Sequence, residues 1–325
     1  MYKKQIKYNE VILMNIYVIG AGAMGSLFAA KLAHAGLAIN LVDEWKTQIE
    51  AVRSNGIHGQ IGENSITAKP PVYLPHEAQE PADLMILFVK SMQLEHYLQE
   101  VRHLIKPNTA VICLLNGLGH EMILEKYLPR ENIFLGITIW AAGLDRPGVF
   151  HSSPTGNIEL QNLVDSAEAK HKAHDLVDLL NRGDLNAVYS ENVKFSIWRK
   201  ACVNGTSNTL CTLLETNVAG LNNSEHHQKI LRPIVEEFAT AAKLSGVDLD
   251  AANILQYLDK VFHNPALMHH YPSMYQDLIK NHRPTEIDYL NGAVAKILQA
   301  HGMAAPVCQL LTDLIHAKED LLIIK

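Results

Sequence analysis

The chain has 325 residues, of which 48% are hydrophobic and 19% charged, and its formal net charge is −6. Single cores stop growing near ~250–300 residues, so this length predicts two domains, and the composition excludes a largely disordered chain. The 34 acidic and 28 basic residues are spread along the sequence without a basic block, which argues against nucleic acid as a partner.

The N-terminal stretch, the cysteines and the lack of a long apolar run lead us to expect a cytoplasmic protein. Residues 1–13 precede a second methionine, Met14, and are expected to be a start-site extension rather than a signal peptide. The sequence has no apolar run of the ~18 or more residues that a membrane helix needs. The four cysteines are far apart and form no metal-ligand spacing, so free thiols in a reducing compartment are expected.

Short apolar strands alternate with helical patterns from Asn15 to about Tyr189. The first four strands are predicted at 15–20, 39–43, 84–89 and 110–115. Such alternation predicts an α/β fold with a parallel, doubly wound sheet of the Rossmann type. Turn residues inside 57–68 predict a hairpin at the edge of this sheet, and a strand-rich stretch at 132–160 closes the first half.

Helical periods dominate after Asn192, so the second half is predicted to be all-helical. We therefore expect an N-terminal extension at 1–13, a dinucleotide-binding Rossmann domain at 14–190 and a helical substrate and dimerisation domain at 191–325. The long apolar helices of the second half favour a homodimer.

A glycine-rich turn fits the pattern G-x-G-x-x-G between the first strand and its helix. Its members are Gly20, Ala21, Gly22, Ala23, Met24 and Gly25. Such glycines allow a tight turn, and the helix N-terminus offers free N–H groups to a pyrophosphate. The alternative is a turn that binds no ligand, but the strand, the helix and a following acid together favour dinucleotide binding.

That acid is Asp43, which ends the second strand eighteen residues after Gly25. A carboxylate there can accept hydrogen bonds from a ribose diol and repels a 2′-phosphate, which favours NADH over NADPH. Asp43 could instead be a solvated helix cap, and Lys46 or Arg53 could still reach a phosphate.

Lys200, Asn204 and Asn208 recur at every fourth position within "WRKACVNGTSN". On an α-helix they would form a line about 12 Å long on nearly one face, the size of a small metabolite. A lysine whose pKa is lowered by burial can polarise a carbonyl and donate a proton to it, and the two amides can bind hydroxyl or carboxylate groups. The alternative is a solvated polar face.

Five stretches in order, from Met14 to about Glu319, resemble the ketopantoate reductase family, the 2-dehydropantoate 2-reductases. They are "GAGAMGSLFAA", "FVKSMQ", "LLNGLGHE", "WRKACVNGTSN" and "YPSMYQDLIKNHRPTEIDYLNG". The resemblance implies reduction of 2-dehydropantoate to (R)-pantoate with NADPH, by a Rossmann domain and a helical domain.

The resemblance also implies roles for single residues. It makes Lys200 the proton donor, and Asn204 and Asn208 ligands of the substrate hydroxyl end. Ser273 resembles the serine that binds the substrate carboxylate, and Glu286 resembles the glutamate beside the cofactor and the lysine. A capping box formed by Thr285 and Asp288 would explain that acid without catalysis.

Further cofactor and substrate contacts follow from the resemblance. Lys90 and Asn116 match the cofactor-contacting lysine and asparagine, the latter also near the substrate, although each could equally be a surface or turn residue at a strand end. Ala142 matches a backbone contact to the cofactor. Asn217 matches one more substrate asparagine if a one-residue length difference is allowed.

Two departures from the family pattern concern the ligands. Asp43 stands where many members have a basic residue for the 2′-phosphate, so NADPH is the family default while Asp43 favours NADH. His270 stands where some members have a substrate-binding asparagine. The 17 histidines include no H-x-x-x-H or H-E-x-x-H, so no metal is expected.

Two other functions remain open at this stage. One is a different 2-keto acid or β-hydroxyacid-type dehydrogenase of the same architecture. The other is a nucleotide-sensing protein without catalysis, which would have little reason to combine Lys200, Asn204, Ser273 and Glu286.

Overall fold

The computed structural model describes residues 14–264, 268–269 and 271–323. The expected extension at 1–13 and the departure at His270 lie outside the described residues. The described chain begins with an α/β half and continues, after Asn192, with helices.

The first half contains twelve strands among the described residues. They are β1 Ile16–Ile19, β2 Ile39–Val42, β3 Ile57–Ile61, β4 Asn64–Ala68, β5 Val72–Tyr73, β6 Leu84–Leu87, β7 Ala110–Cys113, β8 Ile133–Thr138, β9 Ala142–Arg146, β10 Val149–Ser152, β11 Ile158–Asn162 and β12 Ala187–Tyr189. The helices between them are α1 Ala23–His34, α2 Lys46–Asn55, α3 Leu94–Glu100, α4 His120–Leu124 and α5 Ala167–Arg182.

The main sheet has the strand order β12-β11-β8-β7-β6-β1-β2-β5. Neighbours from β5 through β8 pair in parallel, and β11 pairs antiparallel with β8. β1 and β6 are fully buried apolar strands, as expected when helices cover both faces of a parallel sheet. The predicted Rossmann-type fold is confirmed.

The predicted hairpin at 57–68 forms, but its predicted place at the edge of the main sheet is wrong. β3 and β4 belong to a separate four-stranded sheet of order β4-β3-β10-β9. The free edge of β3 pairs in parallel with β10, while β5 takes the place beside β2. The partner of β3 is therefore a strand about ninety residues later, which local turn chemistry cannot reveal.

The second half is helical throughout its described residues. Its α-helices are α6 Val193–Val203, α7 Thr209–Leu213, α8 Val218–Asn222, α9 His227–Leu244, α10 Ala251–Phe262, α11 Ser273–Tyr275, α12 Asn291–Ala300 and α13 Pro306–Leu322. Two segments, Asn204–Asn208 and Gln276–Lys280, are π-helical. An apolar cluster centred on α6, α9, α10, α12 and α13 forms the core of this half.

The structure bears on two expectations from the sequence, which concern the cysteines and membrane helices. All four cysteines are buried free thiols. Among the described residues, none of the helices has the length and apolar character that crossing a bilayer requires.

Candidate active site

The glycine turn joins β1 to α1 in a shape that leaves room for a phosphate. Gly20 has a φ of 99°, and a Cβ there would lie 2.7 Å from the Phe88 carbonyl carbon, so a side chain is excluded. A Cβ at Gly25 would lie 1.8 Å from the Gly20 oxygen. A Cβ at Gly22, in contrast, would meet no atom within 4 Å, because this glycine faces open space.

The first turn of α1 has neither a side-chain cap nor an acidic residue. Its N–H groups and the positive end of the helix dipole are therefore available to an anion. Together with the open side of Gly22, this arrangement fits the pyrophosphate of a dinucleotide.

Asp43 lies at the end of β2 beside this turn and is 9% exposed. Its carboxylate accepts hydrogen bonds from the Ala21 N–H and, at 2.8 Å, from the Trp45 N–H. These bonds fix an acidic group next to the glycine turn, where a ribose would follow the pyrophosphate. Arg53, which could have reached a 2′-phosphate, is instead paired with Glu77.

A cavity lies where the α/β half meets the helical half. It comprises about 240 Å³ of space, including the open part at its mouth. The lining residues are Asn116, Asn204, Asn208, Ser273, Met274, Asp277, Glu286 and Leu290. Five of these residues were singled out in the sequence, so the structure brings most of the predicted substrate side chains together.

Lys200 extends from α6 of the helical half to the end of β8. Its Nζ donates a hydrogen bond to the Thr138 carbonyl at 2.8 Å. Burial lowers the pKa of Lys200 to about 8, and the negative charge of Glu286 opposes this shift. The ammonium can therefore lose its proton near neutral pH, as a general acid must.

The predicted straight line of Lys200, Asn204 and Asn208 needs a correction. The α-helix ends at Val203, and Asn204–Asn208 form one π-helical turn, which is wider than an α-turn. Inside it Gly205 packs so tightly that a Cβ would lie 2.4 Å from Cζ of Phe238 on α9. Both amides nevertheless line the cavity.

Side-chain hydroxyls bond to the carbonyl groups around this turn. The Thr206 hydroxyl donates to the Cys202 carbonyl and the Ser207 hydroxyl to the Val203 carbonyl, each at 2.9 Å. Such bonds to preceding carbonyls compensate for the irregular backbone pairing and permit a bend. On the far side of the turn, the Asn208 amide nitrogen lies 3.4 Å from Ser273 Oγ.

Glu286 makes its hydrogen bonds to the α/β half. Its Oε1 accepts from the Ser91 backbone N–H at 2.9 Å and from the Ser91 hydroxyl at 2.8 Å. Glu286 directly precedes a 3₁₀ turn, Ile287–Tyr289, rather than an α-helix. The capping-box alternative thus does not describe where this carboxylate bonds.

Sequence reasoning missed Asp277 and Ser91. Asp277 accepts from the predicted cofactor ligand Lys90 at 2.5 Å and from Arg283 at 3.0 Å. It follows Ser273 by four residues, so helical spacing could have placed it on the same side. Ser91 had no such signal, because only the meeting of the two halves brings it to Glu286.

Several predicted residues lie outside the cavity lining, among them Lys200, Lys90, Ala142 and Asn217. Ala142 begins β9 in the small sheet. Asn217 caps α8, where its side-chain oxygen accepts from the Gly220 N–H at 2.9 Å. Their predicted roles stay predictions. No group of three or more histidine, cysteine, aspartate or glutamate side chains in the described part of the chain could hold a metal ion.

A glycine turn at the carboxyl end of β1, in an α/β half that meets polar side chains of a helical half, is typical of a two-part dinucleotide-dependent oxidoreductase. The family model described as ketopantoate reductase PanE/ApbA matches residues 16–165, and its C-terminal counterpart matches residues 192–319. The chain belongs to the ketopantoate reductase family.

Relatives with known names cover nearly the whole chain. A 2-dehydropantoate 2-reductase of Lactococcus lactis is 46% identical, and one of Streptococcus pyogenes serotype M1 is 43% identical; each match covers 95% of this chain and 99% of the relative. Among solved structures, a ternary complex of D-mandelate dehydrogenase with NADH and anilino(oxo)acetate is 45% identical with a TM-score of 0.91. That match covers 96% of this chain and 100% of the other.

Proposed function

We propose that this protein reduces 2-dehydropantoate at its C2 ketone to (R)-pantoate with NAD(P)H. The observation that carries the proposal is the position of Lys200, a buried ammonium that bonds to the Thr138 carbonyl at the end of β8 and has its pKa raised by the charge of Glu286. The relatives named 2-dehydropantoate 2-reductase support this reaction.

Each polar side chain of the site has a task in this reaction. A bound NAD(P)H supplies the hydride. Lys200 polarises the ketone and gives its proton to the oxygen, which its lowered pKa allows near neutral pH. Asn204 and Asn208 hydrogen-bond the hydroxyl end of the substrate, and Ser273 its carboxylate.

The sheet side of the site orients the cofactor. The N–H groups at the start of α1, within the glycine turn, bind the pyrophosphate. Lys90, Asn116, Ala142 and Glu286 complete the cofactor contacts.

Asp43 makes NADH the preferred cofactor in our proposal. A 2′-phosphate would lie beside a buried carboxylate that is already fixed by two backbone N–H groups, and like charges brought together cost several kcal/mol. The residue therefore cannot turn away without losing those bonds.

A second candidate is an NADH-dependent dehydrogenase of other 2-hydroxy acids, of the mandelate type. The observation in its favour is the D-mandelate dehydrogenase complex with NADH, which is as similar to this chain as the named 2-dehydropantoate 2-reductases. The two functions share the same chemistry and differ in the side chain next to the ketone.

A panel of 2-keto acids, each assayed with NADH and NADPH, tests both candidates. We expect kcat/KM to be highest with 2-dehydropantoate and to be about tenfold or more higher with NADH than with NADPH. A higher kcat/KM with phenylglyoxylate would support the second candidate. Absence of turnover with every acid would support the nucleotide-sensing alternative instead.

We also propose that the protein is a cytoplasmic homodimer. Leu310, Leu314 and Leu321 are 57%, 44% and 83% exposed on α13, and such side chains favour association with a second copy. Light scattering should give twice the 36.1 kDa mass of one chain, and the L310E/L314E variant should give the mass of a single chain. A wild-type mass of one chain would contradict the dimer.

A further inference from the structure

His120 is a buried imidazole that has no task in the proposed reaction. It is 4% exposed at the start of α4, and its Nε2 lies 3.0 Å from Ser91 Oγ. Its ring stacks on Tyr289 with centroids 5.3 Å apart and planes 2° apart. Burial lowers the pKa of His120 to about 4, so the ring is neutral near pH 7.

A count of protons at Ser91 assigns the tautomer of this ring. Ser91 Oγ lies 2.8 Å from Glu286 Oε1, 2.9 Å from the Asn116 carbonyl oxygen and 3.0 Å from His120 Nε2. The first two are acceptors, and a hydroxyl has a single proton to donate. His120 Nε2 must therefore carry its proton and donate it to Ser91 Oγ, which leaves the hydroxyl proton for the acceptors.

The result is a chain of hydrogen bonds that ends on Glu286. Ser91 is completely buried, and its backbone N–H and hydroxyl both reach Glu286 Oε1. Hydrogen bonds to a carboxylate are stronger than neutral ones and fix its direction. Tyr289, which stacks on the His120 ring, is only three residues from Glu286. Residues of both halves of the protein therefore hold this arrangement.

We propose that Ser91 and His120 are positioning residues of the reductase, because they hold the Glu286 carboxylate in the orientation that stabilises the charged Lys200 ammonium. The inference rests on the proposed function, in which Lys200 is the proton donor. We call this arrangement the Ser91–His120 clamp.

Loss of the clamp should weaken the electrostatic support of Lys200. The charge of Glu286 raises the pKa of Lys200 against the effect of burial. A carboxylate that turns away supports the ammonium less, so Lys200 loses its proton at a lower pH.

The other charged groups around the clamp do not replace Glu286. Lys90 and Arg283 both pair with Asp277 at the cavity, which leaves a net positive charge there, and a positive charge cannot raise the pKa of Lys200. The Tyr289 hydroxyl has its pKa raised by burial and by the acids near it, so it is neutral at working pH. Within the described chain, Glu286 is the titratable group whose charge raises the pKa of Lys200.

Two substitutions of His120 isolate the donated proton. In H120Q the amide nitrogen can replace the imidazole Nε2–H as donor to Ser91, whereas H120L has no donor. Both lose the stacking on Tyr289, so this loss cancels in the comparison.

Rates across pH with the best 2-keto acid and NADH provide the first readout. We expect kcat/KM of the wild type and H120Q to fall as pH rises through about 8, because the donor must be protonated. In H120L and in S91A this limb should lie about half to one pH unit lower, and kcat below the limb should fall about tenfold. Equal limbs in H120L and H120Q would overturn the clamp, as would a wild-type limb in S91A.

The pKa of Lys200 itself provides a second readout that needs no substrate. It is measured from the ¹³Cε chemical shift of labelled lysine across pH, and the signal is assigned by its loss in Lys200→Met. A lower pKa in H120L but not in H120Q supports the clamp even if no 2-keto acid is reduced, in which case only the proposed function fails. Normal turnover with an unchanged Lys200 pKa in H120L would refute the clamp alone.

Discussion

The glycine turn presents main-chain N–H groups, whereas the helical half presents side chains, with two amides and a hydroxyl at the cavity and the Lys200 ammonium at the end of β8. At the turn, Gly22 has no Cβ, and this leaves open the space beside its backbone. At the cavity, Asn204 and Asn208 are placed by a π-helical turn that packs on Phe238. The first region is thus sensitive to added atoms, and the second to how distant helices pack.

The largest effect that this comparison predicts is the loss of Lys200. Lys200→Ala should lower kcat by ~10² or more, because Lys200 gives the proton to the ketone in the proposed reaction, while the Kd of the nucleotide stays nearly unchanged. Stopped assays of NADH oxidation and fluorescence titration measure the two quantities.

Lys194 provides the matched control for that variant. It is an exposed lysine on the same helix, so Lys194→Ala should keep the wild-type rate. If Lys200→Ala also kept that rate, Lys200 would not be the proton donor, and the helical half would not supply this catalytic group.

The packing of the π-turn predicts an intermediate effect. Gly205→Ala places a Cβ 2.4 Å from Phe238 Cζ, and overpacking of this kind lowers the free energy of unfolding by about 1–3 kcal/mol. Because the neighbouring Asn204 shifts as well, KM for the keto acid should rise. Denaturant titration and steady-state kinetics measure these changes.

A second substitution distinguishes packing from a general weakening of the helix. In a double-mutant cycle, Gly205→Ala and Phe238→Leu should be less destabilising together than the sum of the two single changes, since Leu makes room for the new methyl group. Additive effects would show that the Phe238 contact does not determine the turn.

The smallest predicted effect lies at the glycine turn. Gly22→Ala adds a methyl group that meets no protein atom, so stability should be unchanged, while the Kd for NADH should rise about tenfold as the methyl group occupies the phosphate side. Gly25→Ala makes a useful contrast, because its Cβ would collide with the Gly20 oxygen and should destabilise the fold. Wild-type NADH affinity in Gly22→Ala would place the phosphate elsewhere.

The sequence was most informative where function depends on local chain geometry. Strand ends, the glycine spacing and the four-residue spacing of Lys200, Asn204 and Asn208 are local patterns, and they predicted the fold class and three residues of the cavity lining. Two further lining residues, Ser273 and Glu286, were predicted from the family resemblance. Asp277 lay within reach of the same reasoning, since it follows Ser273 on the same helical segment.

Contacts between distant segments could not be predicted in this way. The bond from Ser91 to Glu286 joins residues 195 positions apart, and the strand that pairs with β3 is β10. The π-turn depends on Phe238, which lies far along the chain from Gly205. In each case the decisive partner is chosen by tertiary packing, and no local propensity specifies it.

The two π-helical turns make the cavity depend on chain length as well as on residue identity. Removal of one residue from Asn204–Asn208 would restore ordinary α-helical pairing, so the later part of the helix would keep its place while the side chains within the turn would change direction. The same holds for the second π-helical segment, Gln276–Lys280, which contributes Asp277 to the cavity. Libraries of single-residue deletions should therefore inactivate the protein at these two segments far more uniformly than libraries of substitutions.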